Sequence, residues 1–297
     1  MSLTGFVKIP GVAATIKPLR PKDRRRLDVP LKVAPRSERH GLMGTAFDYL
    51  LRFELWRRAP YAVERPWVAE AVPGLMHTYQ DKIALALGIP RRASQDIARA
   101  VSDLSRRARR VIDNAKRDVA VFQQFVGVPG RAVIASLAGH ALRLAKLDAL
   151  RRVQRFDPTF EHAATEDVEN LVNLLTIAPF DQLVHSQIMR LNPTFGAGSR
   201  AVHGADGDLI SGDMLLDFKT VQDAVLKALD LDQLFGYLLL ARRGRQMDPS
   251  FPEIKRVGIY FSRHGYLWIR PAALWTSHPR FAEAERRFFD YARQLPN

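Results

Sequence analysis

Gly204-Ala-Asp-Gly-Asp208-Leu-Ile210, then Ser211-Gly-Asp213, then Met214-Leu-Leu-Asp217-Phe-Lys219-Thr-Val221: the reading of the chain turns on this stretch. The flanking segments are short and β-rich, and the small residues between them have the composition of a hairpin turn. In such a hairpin Asp208 closes the first strand, read over 201–210. Asp217 and Lys219, two residues apart on the second strand, project from the same face. Two carboxylates and an amine therefore converge at one end of a sheet. Lys219 sits among Leu215, Leu216, Phe218 and Val221, where an unpaired ammonium is costly to bury, so it is expected to have a partner.

Working outward, a helical pattern runs from about Val225 to Arg243 and is expected to stop at Gly244. Arg256–Ser262 and Tyr266–Arg270 read as a second hairpin across Arg263-His-Gly265, and Pro279–Leu295 as a final amphipathic helix. Upstream, Phe47, Leu50, Leu51, Phe53 and Leu55 recur at helical spacing, which predicts a helix from Gly41 to Arg58. Residues 66–178 read as almost wholly helical. Within them Ile97, Val101, Leu104, Ala108, Val111, Ala115, Val119 and Phe122 form the buried stripe of one long helix, with Ser94 as its N-cap. Residues 1–40, proline-rich and carrying the run Arg20-Pro-Lys-Asp-Arg-Arg-Arg26, read as a basic extended arm. The expected organisation is thus an arm over 1–40, a first core helix over 41–65, a helical basic insertion over 66–179 and a core of sheet and helices over 180–297. The fold class is α/β, a mixed sheet of about four strands flanked by helices with a large all-helical insertion.

The 297 residues, 47% hydrophobic and 26% charged, describe a folded chain rather than a disordered one. The longest uncharged run, Val119 to Gly130, interrupted only by the chain's polar residues, falls far short of the ~20 apolar residues that span a bilayer. No secretory signal pattern is present in residues 1–26, so a cytoplasmic protein without membrane contact is expected. The absence of cysteine excludes disulfides, thiolate metal sites and cysteine nucleophiles. Any metal must sit on oxygen or imidazole.

The formal charge of +14 and a pI near 10.4 point to a polyanionic partner, and nucleic acid is the first to test. Arginine outnumbers lysine 35 to 10; its planar fork suits phosphate, although a GC-rich genome also inflates arginine. From Arg91 to Arg155 there are 15 basic and five acidic residues, so this segment supplies most of the excess. Arg99, Arg106, Arg110 and Arg117 fall within one narrow stripe of the long helix, opposite its apolar side. A merely solvated face would carry acidic residues in alternation, and a phosphate-facing surface is favoured.

Two carboxylates at a strand end suit Mg²⁺ or Mn²⁺, which take hard oxygen ligands, keep several waters and accept phosphate oxygens. Acidic-x-Lys spacing alone is weak, and the chain contains a second instance, Glu253-Ile-Lys255, which follows Pro249 and Pro252 and reads as a loop. Context separates the two. Gln233 and Tyr237, four apart on the following helix, share a face and reach the same site.

Gly204-Ala-Asp-Gly-Asp208-Leu-Ile, then Leu216-Asp217-Phe-Lys219-Thr, then Gln233-Leu-Phe-Gly-Tyr237 together resemble the PD-(D/E)XK nuclease superfamily, in particular its RecB-type exonuclease branch. The resemblance covers residues 40–58 and about 192–270 and implies a restriction-endonuclease-like sheet. It implies catalytic roles for Asp208, Asp217, Lys219, Gln233 and Tyr237, with metal on Asp208 and Asp217 and the Phe218 carbonyl as a further ligand. Family members carry a metal-binding histidine four residues after a glycine on the first helix. Here Gly44-Thr-Ala-Phe-Asp48 offers Asp48, with Glu54 as its rival. The cysteines that hold an iron–sulfur cluster in some relatives are absent. The implied activity is Mg²⁺- or Mn²⁺-dependent cleavage of DNA, single- or double-stranded, with a helicase or another nucleic-acid-processing protein as partner. The alternative is a non-catalytic nucleic-acid-binding protein on a nuclease scaffold, although a binder has no need of an intact Asp, Asp and Lys. A carboxylate-pair glycoside hydrolase fits poorly, because it has no use for the lysine.

Weaker candidates surround this core. His40 and His203 could contact phosphate, Arg200 and Arg270 could neutralise it, and Phe195, Trp268, Phe288 and Phe289 could stack on bases; each has a structural role as its plainer alternative. No Gly-x-x-x-x-Gly-Lys phosphate loop is present. If the arginine stripe contacts phosphates, neutralising Arg99, Arg106, Arg110 and Arg117 together weakens DNA binding for every sequence alike. The slope of log K against log salt then flattens by about 3, at roughly 0.7 to 0.9 per contact. A salt titration that returns the wild-type slope removes the stripe as a DNA-binding surface.

Overall fold

Short runs of consecutive buried apolar residues on either side of the Gly212-Asp213 turn produce the hairpin that the sequence predicts, and a wider sheet grows from it. The structure is a computed structural model and describes residues 2–22, 25–184 and 187–295. Six strands lie in one mixed sheet in chain order: β1 (Val63–Glu64), β2 (Met189–Leu191), β3 (Leu209–Ser211), β4 (Met214–Lys219), β5 (Arg256–Phe261) and β6 (Tyr266–Pro271). The β1/β2 and β4/β5 pairs are parallel and the others antiparallel. Among the described residues six helices have twelve or more residues: α1 (His40–Arg58), α2 (Ser94–Gln123), α3 (Arg131–Val153), α4 (Thr165–Thr176), α5 (Ala228–Met247) and α6 (Phe281–Arg293). No described helix is long and apolar enough to cross a membrane.

The chain divides into two units, one of residues 1–32, 61–65 and 179–297, the other of 33–60 and 66–178. The first holds the whole sheet. Its core gathers Ile210, Leu215, Val257, Ile259 and Trp268 from the strands with Leu234, Phe235, Leu238 and Leu239 from α5 and Phe288 from α6. A parallel β4/β5 pair needs a crossover, and α5 supplies it.

The sheet is wider than the four strands expected, because β1 and β2 have only two and three residues and carry no readable alternation. The first hairpin strand is shorter than expected over 201–210. Ala197–Ala201 is a short helix, and His203 and Gly204 take left-handed φ values of 60° and 118°, so the strand begins only at Leu209, after an isolated bridge between Thr194 and Asp206. Nor does α5 stop at Gly244, for it continues to Met247. A Cβ at Gly244 would lie 2.6 Å from the Phe195 carbonyl oxygen, so glycine serves here for close approach rather than termination.

The expected extended arm is corrected more substantially. Leu3–Phe6 and Pro10–Ile16 are short helices whose Leu3, Phe6, Val12 and Ile16 are buried in the core of the sheet unit. Phe6 meets Phe288 edge to face at 4.9 Å. Apolar residues at spacings of three to four fold this segment despite its prolines. In the basic run, Arg20 makes a two-pronged pair with Asp232 of α5, with both contacts at 2.6 Å. Arg26 pairs with Asp223 at 3.0 Å, and Asp23 and Arg24 lie outside the described residues. Residues 25–27 run beside 224–226, joined by Leu27 N–H to Ala224 and Leu226 N–H to Arg25.

The second unit is helical. Every residue of the expected apolar stripe of α2, from Ile97 to Phe122, is buried; Ser94 is the first helical residue, and its side chain makes no capping bond. α1 packs here, against α2, α3 and α4, rather than in the sheet unit. Asp148 of α3 is buried, accepts from the Tyr49 hydroxyl at 3.1 Å and from Arg152 Nε at 2.7 Å, and burial raises its pKa against the pull of Arg152.

Ala197–Ala201 packs closely on α5, where a Cβ at Gly198 would lie 2.2 Å from the Leu240 carbonyl oxygen. Gly198→Ala is expected to destabilise the protein by about 1–3 kcal/mol, as overpacking does. A urea midpoint equal to wild type would contradict this packing.

Candidate active site at the end of strand β4

The register that pairs Leu209 with Leu216 sets Asp208 opposite Asp217 at the hairpin's open end. Asp208 Oδ2 accepts the Phe218 backbone N–H at 2.5 Å, which locks one carboxylate beside the other. Asp217 is 3% exposed, so its charge must be met from within the protein. Lys219 meets it: Nζ lies 2.9 Å from Asp217 Oδ2 and 3.4 Å from Asp230 Oδ1. Nζ also donates to Gln233 Oε1 at 3.1 Å, and Gln233 Nε2 donates to the Tyr237 hydroxyl at 2.9 Å. One amide thus faces the ammonium with its oxygen and the phenol with its nitrogen, and the Tyr237 hydroxyl has no acceptor for its hydrogen among the described residues.

Burial alone would lower the pKa of Lys219, but the attraction of Asp217, Asp230 and Asp208 outweighs it and holds the ammonium above its ordinary value. Burial, reinforced by Asp217 and Asp208, raises Tyr237 well above the ordinary phenol value. At neutral pH the lysine is therefore a cation and the tyrosine a neutral donor. An ammonium held this firmly is suited to orienting a group and stabilising negative charge rather than to abstracting a proton.

The sheet unit thus brings together Asp208, Asp217, Lys219, Gln233 and Tyr237. Asp230 belongs with them and was not read from the sequence. Its signal was the Asp230-Leu-Asp-Gln233 spacing, which puts an acid one helical turn before the glutamine. Asp48 and Glu54 lie in the helical unit. Asp48 Oδ2 pairs with Arg52 at 2.9 Å while its Oδ1 is buried without a hydrogen-bond partner among the described residues. Glu54 is bracketed by Arg57 and Arg58 at 2.6 and 2.7 Å. Of the two, only Asp48 keeps an oxygen to offer.

Asp208 and Asp217 are the residues able to hold a metal in the sheet unit. Two opposed carboxylates and no sulfur suit a hard divalent ion that keeps most of its waters. Among the described residues no group of three or more histidine or acidic side chains forms a protein-only cage.

Arg99, Arg106, Arg110 and Arg117 are all exposed along α2. Arg106 is paired with Asp103 at 3.2 Å, and Arg117 donates to Asn114. Phe195, Trp268 and Phe288 are core residues, at most 1% exposed, which removes them as stacking platforms. Arg270 lies over the Trp268 ring at 5.0 Å. Glu253 and Lys255 fall in the expected loop before β5, both exposed. Comparison with protein-family models, curated proteins and solved structures found no match to this chain.

If Asp230 helps hold the ammonium, Asp230→Asn lowers the pKa of Lys219 while leaving the fold intact. NMR titration of the lysine side-chain resonance checks this, and an unchanged midpoint would sink the assignment.

Proposed function

We propose that this chain is a metal-dependent deoxyribonuclease of the PD-(D/E)XK type, similar to the RecB-type exonucleases, on a restriction-endonuclease-like sheet. The observation that carries the reading is the hydrogen-bonded line from Lys219 through Gln233 to Tyr237, set beside the opposed Asp208 and Asp217. The sequence resemblance requires those five residues to act together, and a purely structural lysine–aspartate pair requires neither the glutamine nor the tyrosine.

In this reading Asp208 and Asp217 hold Mg²⁺ or Mn²⁺. When bound, such an ion polarises a phosphoryl oxygen and lowers the pKa of a coordinated water. Lys219, fixed as a cation, orients the attacking water by donating to it and offsets negative charge that develops on the phosphate. Gln233 sets the direction of the lysine and of the Tyr237 hydroxyl, which donates towards substrate. Asp230 keeps the ammonium charged. Asp48 rests on the family resemblance alone. DNA is the substrate that a charge of +14 favours, and long-range attraction brings the strand to the protein.

Purified protein is incubated with labelled single- and double-stranded DNA in Mg²⁺, Mn²⁺ or EDTA. Metal-dependent cleavage is expected, reduced about 10²-fold or more in Asp217→Ala and Lys219→Ala, with DNA affinity in EDTA largely retained because phosphate contacts elsewhere supply it. Glu253→Ala and Lys255→Ala are expected to cut like wild type. DNA binding without cleavage in any metal would instead favour the non-catalytic binder.

A further inference from the structure

A second constellation lies in the helical unit, in a cavity of about 360 Å³ lined by Arg110, Val111 and Asn114 of α2, His140 and Arg143 of α3, and Glu161. That volume is at the small end of the range for ligand pockets and has room for a phosphate with its sugar. What the cavity can bind follows from which of its polar groups are already matched. Glu161 accepts from Arg107 through Oε2, from both Nε and a terminal nitrogen, so that the guanidinium offsets its charge; Arg107 also lies over the Phe160 ring. His140 is buried, with Nε2 2.7 Å from an Asp118 oxygen. Asn114 gives its amide oxygen to Arg117 and keeps its NH₂.

Two guanidinium groups remain. Arg143 donates through Nε to the Glu161 carbonyl at 2.8 Å, which fixes the plane of its fork, and its terminal nitrogens have no hydrogen-bond acceptor among the described residues. Arg110 is exposed and has no ion-pair partner among the described residues. The unspent capacity of the cavity is therefore two positive charges, an amide donor and His140 Nδ1, which is buried without a hydrogen-bond partner among the described residues. An anion with several acceptor oxygens satisfies the charges and the amide, and paired guanidinium forks match phosphate geometry. Arg110 also belongs to the exposed stripe of α2, with Arg106 and Arg117 one and two turns away, so the cavity opens onto a row of arginines. A single small anion leaves that row unused, whereas a polyphosphate strand uses both.

We propose that this cavity is a phosphate subsite, in which Arg110 and Arg143 neutralise one backbone phosphate of a nucleic-acid strand and Asn114 donates to it. The proposal rests on nucleic acid being the ligand and adds a seat remote in sequence from the catalytic motifs. It also separates Arg143, which is off the stripe, from the arginines that a simple charged face would use.

The test is equilibrium binding of labelled single- and double-stranded DNA in EDTA across a salt series. It uses wild type, Arg143→Gln, Arg143→Lys and the double variant Arg110→Gln/Arg143→Gln, each checked for its melting temperature. Arg143→Gln is expected to lower the slope of log K against log salt by roughly 0.7 to 0.9 and the double variant by about twice that, with Arg143→Lys near wild type. Calorimetric titration with inorganic phosphate is expected to show binding to wild type that is lost in Arg110→Gln, whose exposed position keeps the test open if the Arg143 variants fail to fold. A folded double variant with the wild-type slope overturns the subsite. Phosphate binding without any change in slope assigns the cavity to a free phosphate and overturns the strand assignment. Wild-type protein that binds no DNA overturns this proposal and the nucleic-acid reading together, while DNA binding without cleavage, with the expected fall in slope in the variants, overturns the nuclease reading and leaves the subsite standing.

Discussion

The ammonium of Lys219 is the group around which the sheet unit is arranged. A largely buried cation is tolerable only when acceptors surround it, and here they come from two elements: Asp217 from the same strand, Asp230 and Gln233 from α5. Strand and helix must therefore meet in one register, since a shift of a single residue along α5 would turn the glutamine away by about 100°. Close packing enforces that register. Gly198 and Gly244 let the backbone of residues 195–201 lie directly on α5, and the Arg20–Asp232 pair ties the N-terminal segment to the residue beside Gln233.

The two units divide the electrostatic work. In the sheet unit, Asp208, Asp217 and Asp230 at the strand end outnumber the one lysine among them. In the helical unit the balance reverses on the surface of α2, while inside it carboxylates are matched by arginines, as Asp148 is by Arg152 and Glu54 by Arg57 and Arg58.

The parts legible in the sequence were those with strong local signals. The β3–β4 hairpin has two short β-rich apolar runs and a small-residue turn, α2 has eight apolar residues in helical step, and Asp217-Phe-Lys219 stands in strand context while Glu253-Ile-Lys255 does not. What was missed depended on distant partners. β1 and β2 are too short to show a period and exist because they pair with each other and with β3. Residues 3–19 looked irregular because proline dominated the local reading, yet their apolar side chains have a core to enter. Asp230 gave only a helical spacing, whose meaning appears once Lys219 is placed opposite it.

The discontinuity of the sheet unit has a consequence for how the chain is made. Residues 1–32 must wait for 179–297, and the helical unit is translated between them. At about 5–20 residues per second, α5 follows the N-terminal segment by on the order of ten to forty seconds. During that interval Leu3, Phe6, Val12 and Ile16 have no core to enter, while the helical unit, nearly continuous in sequence, can already close on itself. The loop-closure entropy of so long a separation grows only slowly with length. The burden is one of time rather than of final stability: a nascent chain carrying an apolar leader segment in search of a partner that the ribosome has not yet produced.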